Sequence, residues 1–275
     1  MSDRLETRKY QMIDSFRQHW PEYLMEAAGL GIFMVSAGVF ATLLEYPQSP
    51  VHQIISNPLV RRFLMGCVMG LTAVAIIYSP WGQQSGAHLN PAVTLTFLRL
   101  GKVALPDAVF YILAQFTGGV LGVLLVIIIL GNSFTMPPVS YVATLPGKTG
   151  VTIAFFSELI ISFGLMIMVL FTTNSLRLSR YTGVFAGILI MVYITFEAPL
   201  SGMSINPART LASALPGGLW TALWVYFTAP VLGMLAASLA YQLIRSKASV
   251  KCAKLNHHTT RRCIFCGYGI KKDIK

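Results

Sequence analysis

Two asparagines in this chain stand in the same phrase. Asn90 lies in SGAHLNPAVTL, residues 85–95, and Asn206 in SGMSINPARTL, residues 201–211; Ser, Gly, Asn, Pro, Ala, Thr and Leu recur at matching places. An Asn that precedes a Pro is suited to cap a helix, its side-chain oxygen accepting a backbone N–H. Pro91 and Pro207 suit the first helical position, where no N–H is needed. With that oxygen held, each Asn amide can turn its N–H groups toward a cavity, and Gly86 and Gly202 let the loop backbone pass tightly beside it. The chemistry this offers is hydrogen bonding to a passing solute. No nucleophile–base pair or metal cluster accompanies either phrase, so an enzyme is not expected.

The elements that position these loops are apolar. Of the 275 residues, 55% are hydrophobic and 11% charged, against about 25% charged in ordinary soluble domains. The apolar residues come in long runs such as AVFYILAQFTGGVLGVLLVIIIL, residues 108–130. About 20 such residues cross a bilayer as a helix. The pattern predicts an all-α membrane protein with six spans, near residues 22–44, 62–80, 107–130, 151–172, 181–198 and 219–244. The two phrases fall between these spans. Each is followed by a short apolar piece, PAVTLTFLRL (91–100) and PARTLASAL (207–215), long enough for half a crossing.

The repeat is wider than the phrase. YLMEAAGLGIFMVSAGVF in the first span is similar to AFFSELIISFGLMIMVLF in the fourth, and Glu26 matches Glu158. Each half, about residues 22–130 and 151–244, contains three spans and one half-span. Three is odd, so the halves enter the membrane from opposite faces, as in inverted-repeat transport proteins. Residues 1–21 form a polar N-terminal segment and 245–275 a basic tail. Lys and Arg concentrate in those two segments and in the connections at 99–102 and 177–180, whereas the other face has Arg61, Arg62 and Lys148. Both termini are therefore expected in the cytoplasm. This also accounts for most of the net charge of +11 without nucleic acid. No cleaved signal peptide is expected.

Loops at membrane depth persist only where protein buries them or a water-filled cavity borders them. Two such loops would meet near the midplane. The half-helix N-termini would bring two partial positive charges there, which repel cations. The arrangement predicts a passive path for small neutral solutes that excludes protons and ions.

The doubled Asn-Pro-Ala (Asn90, Pro91, Ala92 and Asn206, Pro207, Ala208), with Arg209 directly after the second copy, resembles the aquaporin family of major intrinsic proteins over about residues 22–244. Aquaporin-type pores use half-helix dipoles and an Arg to exclude cations. The resemblance implies six spans with two re-entrant half-helices, no cofactor, and a homotetramer in the cell membrane with one pore per subunit. It implies that Glu26 and Glu158 are buried and brace the loops. It also implies a selectivity filter of Arg209, Met203, Ile194 and a residue of the second span. Ungapped counting makes that residue Gly70; one extra residue in IIYSPWGQQ (76–84) would make it Met69. The family's strict water channels have an aromatic and a His at two of these positions, and neither is present here. Water together with glycerol, urea or an uncharged metalloid acid is the expected cargo. A gradient-coupled transporter of a small neutral solute is the alternative.

His88 sits at the cytoplasmic mouth, either as a pH-sensitive lining residue or held by a loop carbonyl. Cys252, His257, His258, Cys263 and Cys266 are weak candidates for a metal site. Their single Cys-x-x-Cys matches no defined zinc module. The other expectation for residues 245–275 is a disordered basic tail touching anionic lipid.

Overall fold

A computed structural model describes residues 2–246, 249–258 and 260–269, with side chains from residue 10 onward. The basic residues Lys247, Lys271, Lys272 and Lys275, and the side chains of Arg4, Arg8 and Lys9, lie outside the described residues.

Eight helices carry the argument: α1 (Ser2–Glu45), α2 (Pro58–Tyr78), α3 (Pro91–Arg99), α4 (Leu105–Leu130), α5 (Val151–Thr173), α6 (Thr182–Phe196), α7 (Pro207–Gly217) and α8 (Leu223–Ile244). Six of them, all but α3 and α7, are long and apolar enough to cross a membrane. The expected boundaries hold to within a few residues except at the start. There α1 runs unbroken through Pro21 into residues 2–21, which the sequence reading set apart as a segment of its own. That stretch is too polar to register as a span, yet nothing in it stops a helix.

The halves are built alike. α1 packs on α4, its counterpart α5 packs on α8, and α2 packs on α6 across the join. The half-helices cross over, α3 lying against α8 and α7 against α4. Close packing of backbones in lipid relies on small residues. A Cβ on Gly118 of α4 would stand 2.0 Å from the Ala27 carbonyl oxygen, and one on Gly233 of α8 would stand 2.3 Å from that of Leu159. The same glycine contact thus closes both halves. The half-helices are short because they begin in mid-bundle, where the Asn90 and Asn206 caps start them.

Candidate functional site

Both re-entrant loops hold backbone that residues with a Cβ avoid. Ala87 and Leu89 have φ of 55° and 52°, and Met203 and Ile205 have 52° and 50°. A carboxylate fixes each loop. Glu26 accepts hydrogen bonds from Ser85 Oγ (2.8 Å), the backbone N–H of His88 (3.0 Å) and Leu89 (2.7 Å), and Gln115 Nε2 (2.9 Å). Glu158 accepts from Ser201 Oγ (2.7 Å) and the backbone N–H of Ser204 (2.6 Å) and Ile205 (2.7 Å). Both glutamates are fully buried. Tyr111 and Tyr226 complete the match, donating to the carbonyls of Ser85 (2.7 Å) and Ser201 (2.6 Å).

The asparagines cap as their sequence predicts. Asn90 Oδ1 accepts from the Ala92 N–H at 2.9 Å, and Asn206 Oδ1 from those of Ala208 (3.0 Å) and Arg209 (3.2 Å). Their amides do more than face a cavity. Asn90 Nδ2 donates to the Ile205 carbonyl and Asn206 Nδ2 to the Leu89 carbonyl, both at 2.7 Å. The loops thereby hold each other, and each amide keeps one further hydrogen.

Between the halves runs a cavity of about 480 Å³. Asn90, Asn206, Arg209, Met203, Ile194 and Met69 all line it. Gly70 does not: a Cβ there would stand 2.5 Å from the Gly187 carbonyl oxygen on α6, so Gly70 is a helix contact. A short helix, Pro80–Ser85, joins α2 to the first loop, as Ala198–Ser201 joins α6 to the second. Arg209 is at the cavity wall, and its Nη1 has no hydrogen-bond partner among the described residues. One end of the cavity is bordered by Glu45, Pro58 and Arg62, the other by His88 and Leu255.

The end near His88 is covered by the tail. His88 Nδ1 lies 3.1 Å from Thr94 Oγ1 and Nε2 lies 2.9 Å from the Ala253 carbonyl. It is therefore held by a carbonyl, but one from the tail rather than from its own loop. Phe265 stacks on the His88 ring at 5.3 Å and 6°, and the Leu255 N–H donates to the Gly86 carbonyl at 3.1 Å. Val250, Cys252, Ala253, Lys254, Leu255 and Cys263 are buried, so residues 249–258 and 260–269 form a packed cover and not a disordered arm. Arg262 anchors it through Glu22, at 2.7 Å to each carboxylate oxygen. That bond raises the Arg262 pKa, whereas burial lowers that of Lys254.

Of the five tail candidates for a metal, four converge. Cys252, His257, Cys263 and Cys266 each bring a donor atom within 4.8 Å of the others. His258 is not among them: its Nε2 lies 2.7 Å from Ser179 Oγ. The Cys252 and Cys263 sulfurs are 3.4 Å apart, and this hydrogen bond lowers the pKa of Cys263 while raising that of Cys252.

Sequence reasoning missed Ser85 and Ser201, which stood inside the repeated phrase, and Tyr111 and Tyr226, which recur at matching places. It also missed Gln115, Leu255 and Phe265, for which the sequence carries no comparable signal.

The family model for major intrinsic proteins matches residues 13–241. Aquaporin NIP1-4 of Oryza sativa subsp. japonica is 37% identical over 177 residues, 64% of this chain and 63% of that protein. Aquaporin NIP3-1 of Arabidopsis thaliana is 36% identical over 183 residues, 65% of this chain and 56% of that protein. These matches span less than two thirds of the relatives' length. The solved structure of an aquaglyceroporin from Plasmodium falciparum superposes with a TM-score of 0.67 at 20% identity, over 84% of this chain and 98% of that one, and shares the fold.

Proposed function

The chain belongs to the major intrinsic protein family, and on that premise we propose that it is a passive channel for water and small uncharged solutes. The observation that carries this reading is the cavity that Asn90 and Asn206 face from opposite half-helices, with Arg209 at its wall. Two helix N-termini and a guanidinium at one constriction disfavour any cation. A neutral hydroxyl or amide can accept from the remaining Asn hydrogens and from Arg209 Nη1.

The filter is Arg209, Met203, Ile194 and Met69. Three of these four side chains are apolar, so the passage admits solutes less polar and larger than water. Glycerol, urea and uncharged metalloid acids fit that chemistry. Names of similar proteins support this range, since both NIP aquaporins and an aquaglyceroporin are among them. Glu26 and Glu158 are engaged as braces, which leaves neither to carry a proton with the solute. The chain is an integral multi-pass protein. The Lys and Arg distribution supports both termini lying in the cytoplasm, with the cell membrane as the proposed location. The family resemblance adds a homotetramer with a pore in each subunit.

The test is reconstitution in liposomes, with light scattering after sucrose, glycerol and urea jumps. Empty liposomes, Arg209→Ala and a Leu255→Ala/Phe265→Ala variant run beside the full chain. Accelerated shrinkage in sucrose, with reswelling in glycerol or urea, is expected. No acceleration in any protein sample would sink the channel reading, and water flux without reswelling would overturn the assigned filter.

A further inference from the structure

Residues 249–258 and 260–269 lack long helices and have few apolar side chains, yet they hold a defined shape over the His88 end of the cavity. Something other than a hydrophobic core must fix that shape. The candidate is the cluster of Cys252, His257, Cys263 and Cys266. A tetrahedral zinc ion bound at about 2.3 Å by sulfur and 2.0 Å by nitrogen sets its donors roughly 3.5–3.8 Å apart. The distances here, 3.4 Å between Cys252 and Cys263 sulfurs and 3.1 Å between His257 Nε2 and Cys266 Sγ, are already close to that. Three thiolates and an imidazole are a donor set that selects zinc over harder cations.

The surroundings match such an ion. Zinc with three thiolates and a neutral imidazole carries one net negative charge. Lys254, 1% exposed, makes no ion pair with a carboxylate among the described residues, and its Nζ donates to the Arg262 carbonyl at 2.8 Å. That ammonium lies near enough to Cys252, Cys263 and Cys266 to feel charge on their sulfurs. A buried cation next to a thiolate-rich metal site is a charge arrangement that offsets both desolvation costs.

The ligands also bracket the two side chains that cover the cavity. Leu255 stands between Cys252 and His257, and Phe265 stands between Cys263 and Cys266. We infer that these four residues bind one zinc(II) ion, and that this clasp seats Leu255 and Phe265 in the cytoplasmic mouth, so that metal loss releases the cover. The closure half of this inference rests on the channel reading above; the metal half does not.

The first measurement is metal content of the full chain, purified in detergent without chelator, by plasma mass spectrometry. Close to one zinc per chain is expected, with cobalt(II) replacement giving thiolate charge-transfer bands. Cys263→Ser/Cys266→Ser should weaken zinc binding by about tenfold or more, and His258→Ala should leave it unchanged. Absence of zinc after loading, with the thiols free or with Cys252 and Cys263 joined as a disulfide, overturns the site; so does equal binding by the double Cys variant. The second measurement is sucrose-driven shrinkage of liposomes holding zinc-loaded or chelator-stripped protein. Stripped protein should shrink vesicles severalfold faster, and Leu255→Ala/Phe265→Ala should be fast in either state. Equally fast rates for loaded and stripped wild type overturn the closure alone. Slow rates throughout, that variant included, overturn the channel reading and the closure with it, while the zinc content stands.

Discussion

Around the first loop Glu26 accepts hydrogen bonds from four residues; around the second, Glu158 accepts from three. The missing partner is Gln115, whose place in α8 is held by Pro230. Two further positions differ in kind. Where the second half-helix carries Arg209, the first carries Val93, and where the first loop has His88, the second has Ser204. The shared parts are those that build the loops: a serine, two backbone N–H groups, a glutamate and a tyrosine carbonyl contact. Apart from Gln115, the parts that differ are those that face solute or tail. A repeat can thus set two loops in place while leaving each end of the cavity its own chemistry.

Breaking what is common should cost most. Glu26→Ala or Glu158→Ala leaves at least three buried donors unpaired, each worth about 1–3 kcal/mol, so a loss of 3 kcal/mol or more is expected in either half. Thermal unfolding in detergent reads this, and a folded Glu158→Ala protein of unchanged midpoint would refute the bracing role. Next come Gly118→Ala and Gly233→Ala, which force a methyl against a carbonyl in the two matching helix pairs. Overpacking of that kind costs about 1–3 kcal/mol, and the two losses should agree; clearly unequal midpoints would break the equivalence of the halves. Gln115→Leu brings the first brace down to the number of bonds of the second. About 1–2 kcal/mol is expected, and no change in midpoint would show that the fourth bond is idle. The smallest effect on stability belongs to Arg209→Val, which copies Val93 into the second half. It should leave the midpoint nearly unchanged and admit protons in a pH-jump assay on liposomes. A proton-tight variant would remove Arg209 from the exclusion of ions.

The braces, the half-helices and the inverted pairing were legible because the sequence states them twice. Asn-Pro on its own carries less: Asn57-Pro58 caps α2 by the same hydrogen bonds at an exposed end of the bundle. Only the doubled setting marks the loops. The wall position in α2 was not legible, because counting back from the first Asn left Gly70 and Met69 open, and only packing separates them: Met69 lines the cavity and Gly70 meets the Gly187 carbonyl. The tail was misjudged for another reason. Its composition is basic and polar, and its fold depends on contacts with Glu22, Gly86 and His88, far away in the chain. Local pattern cannot report a surface supplied by the other end of the sequence. Residues 2–21 gave no apolar signal of their own, and there α1 simply continues as helix.

The reciprocal bonds Asn90 to Ile205 and Asn206 to Leu89 have a consequence for biosynthesis. When the ribosome has delivered only the first half, the Leu89 carbonyl and the Asn90 amide have no mate at a depth where lipid offers none. The first loop must wait, shielded by water or a chaperoning insertase, until the second arrives. Two separately expressed halves, cut in the 131–150 connection, should each remain protease-sensitive alone and should protect one another when made together.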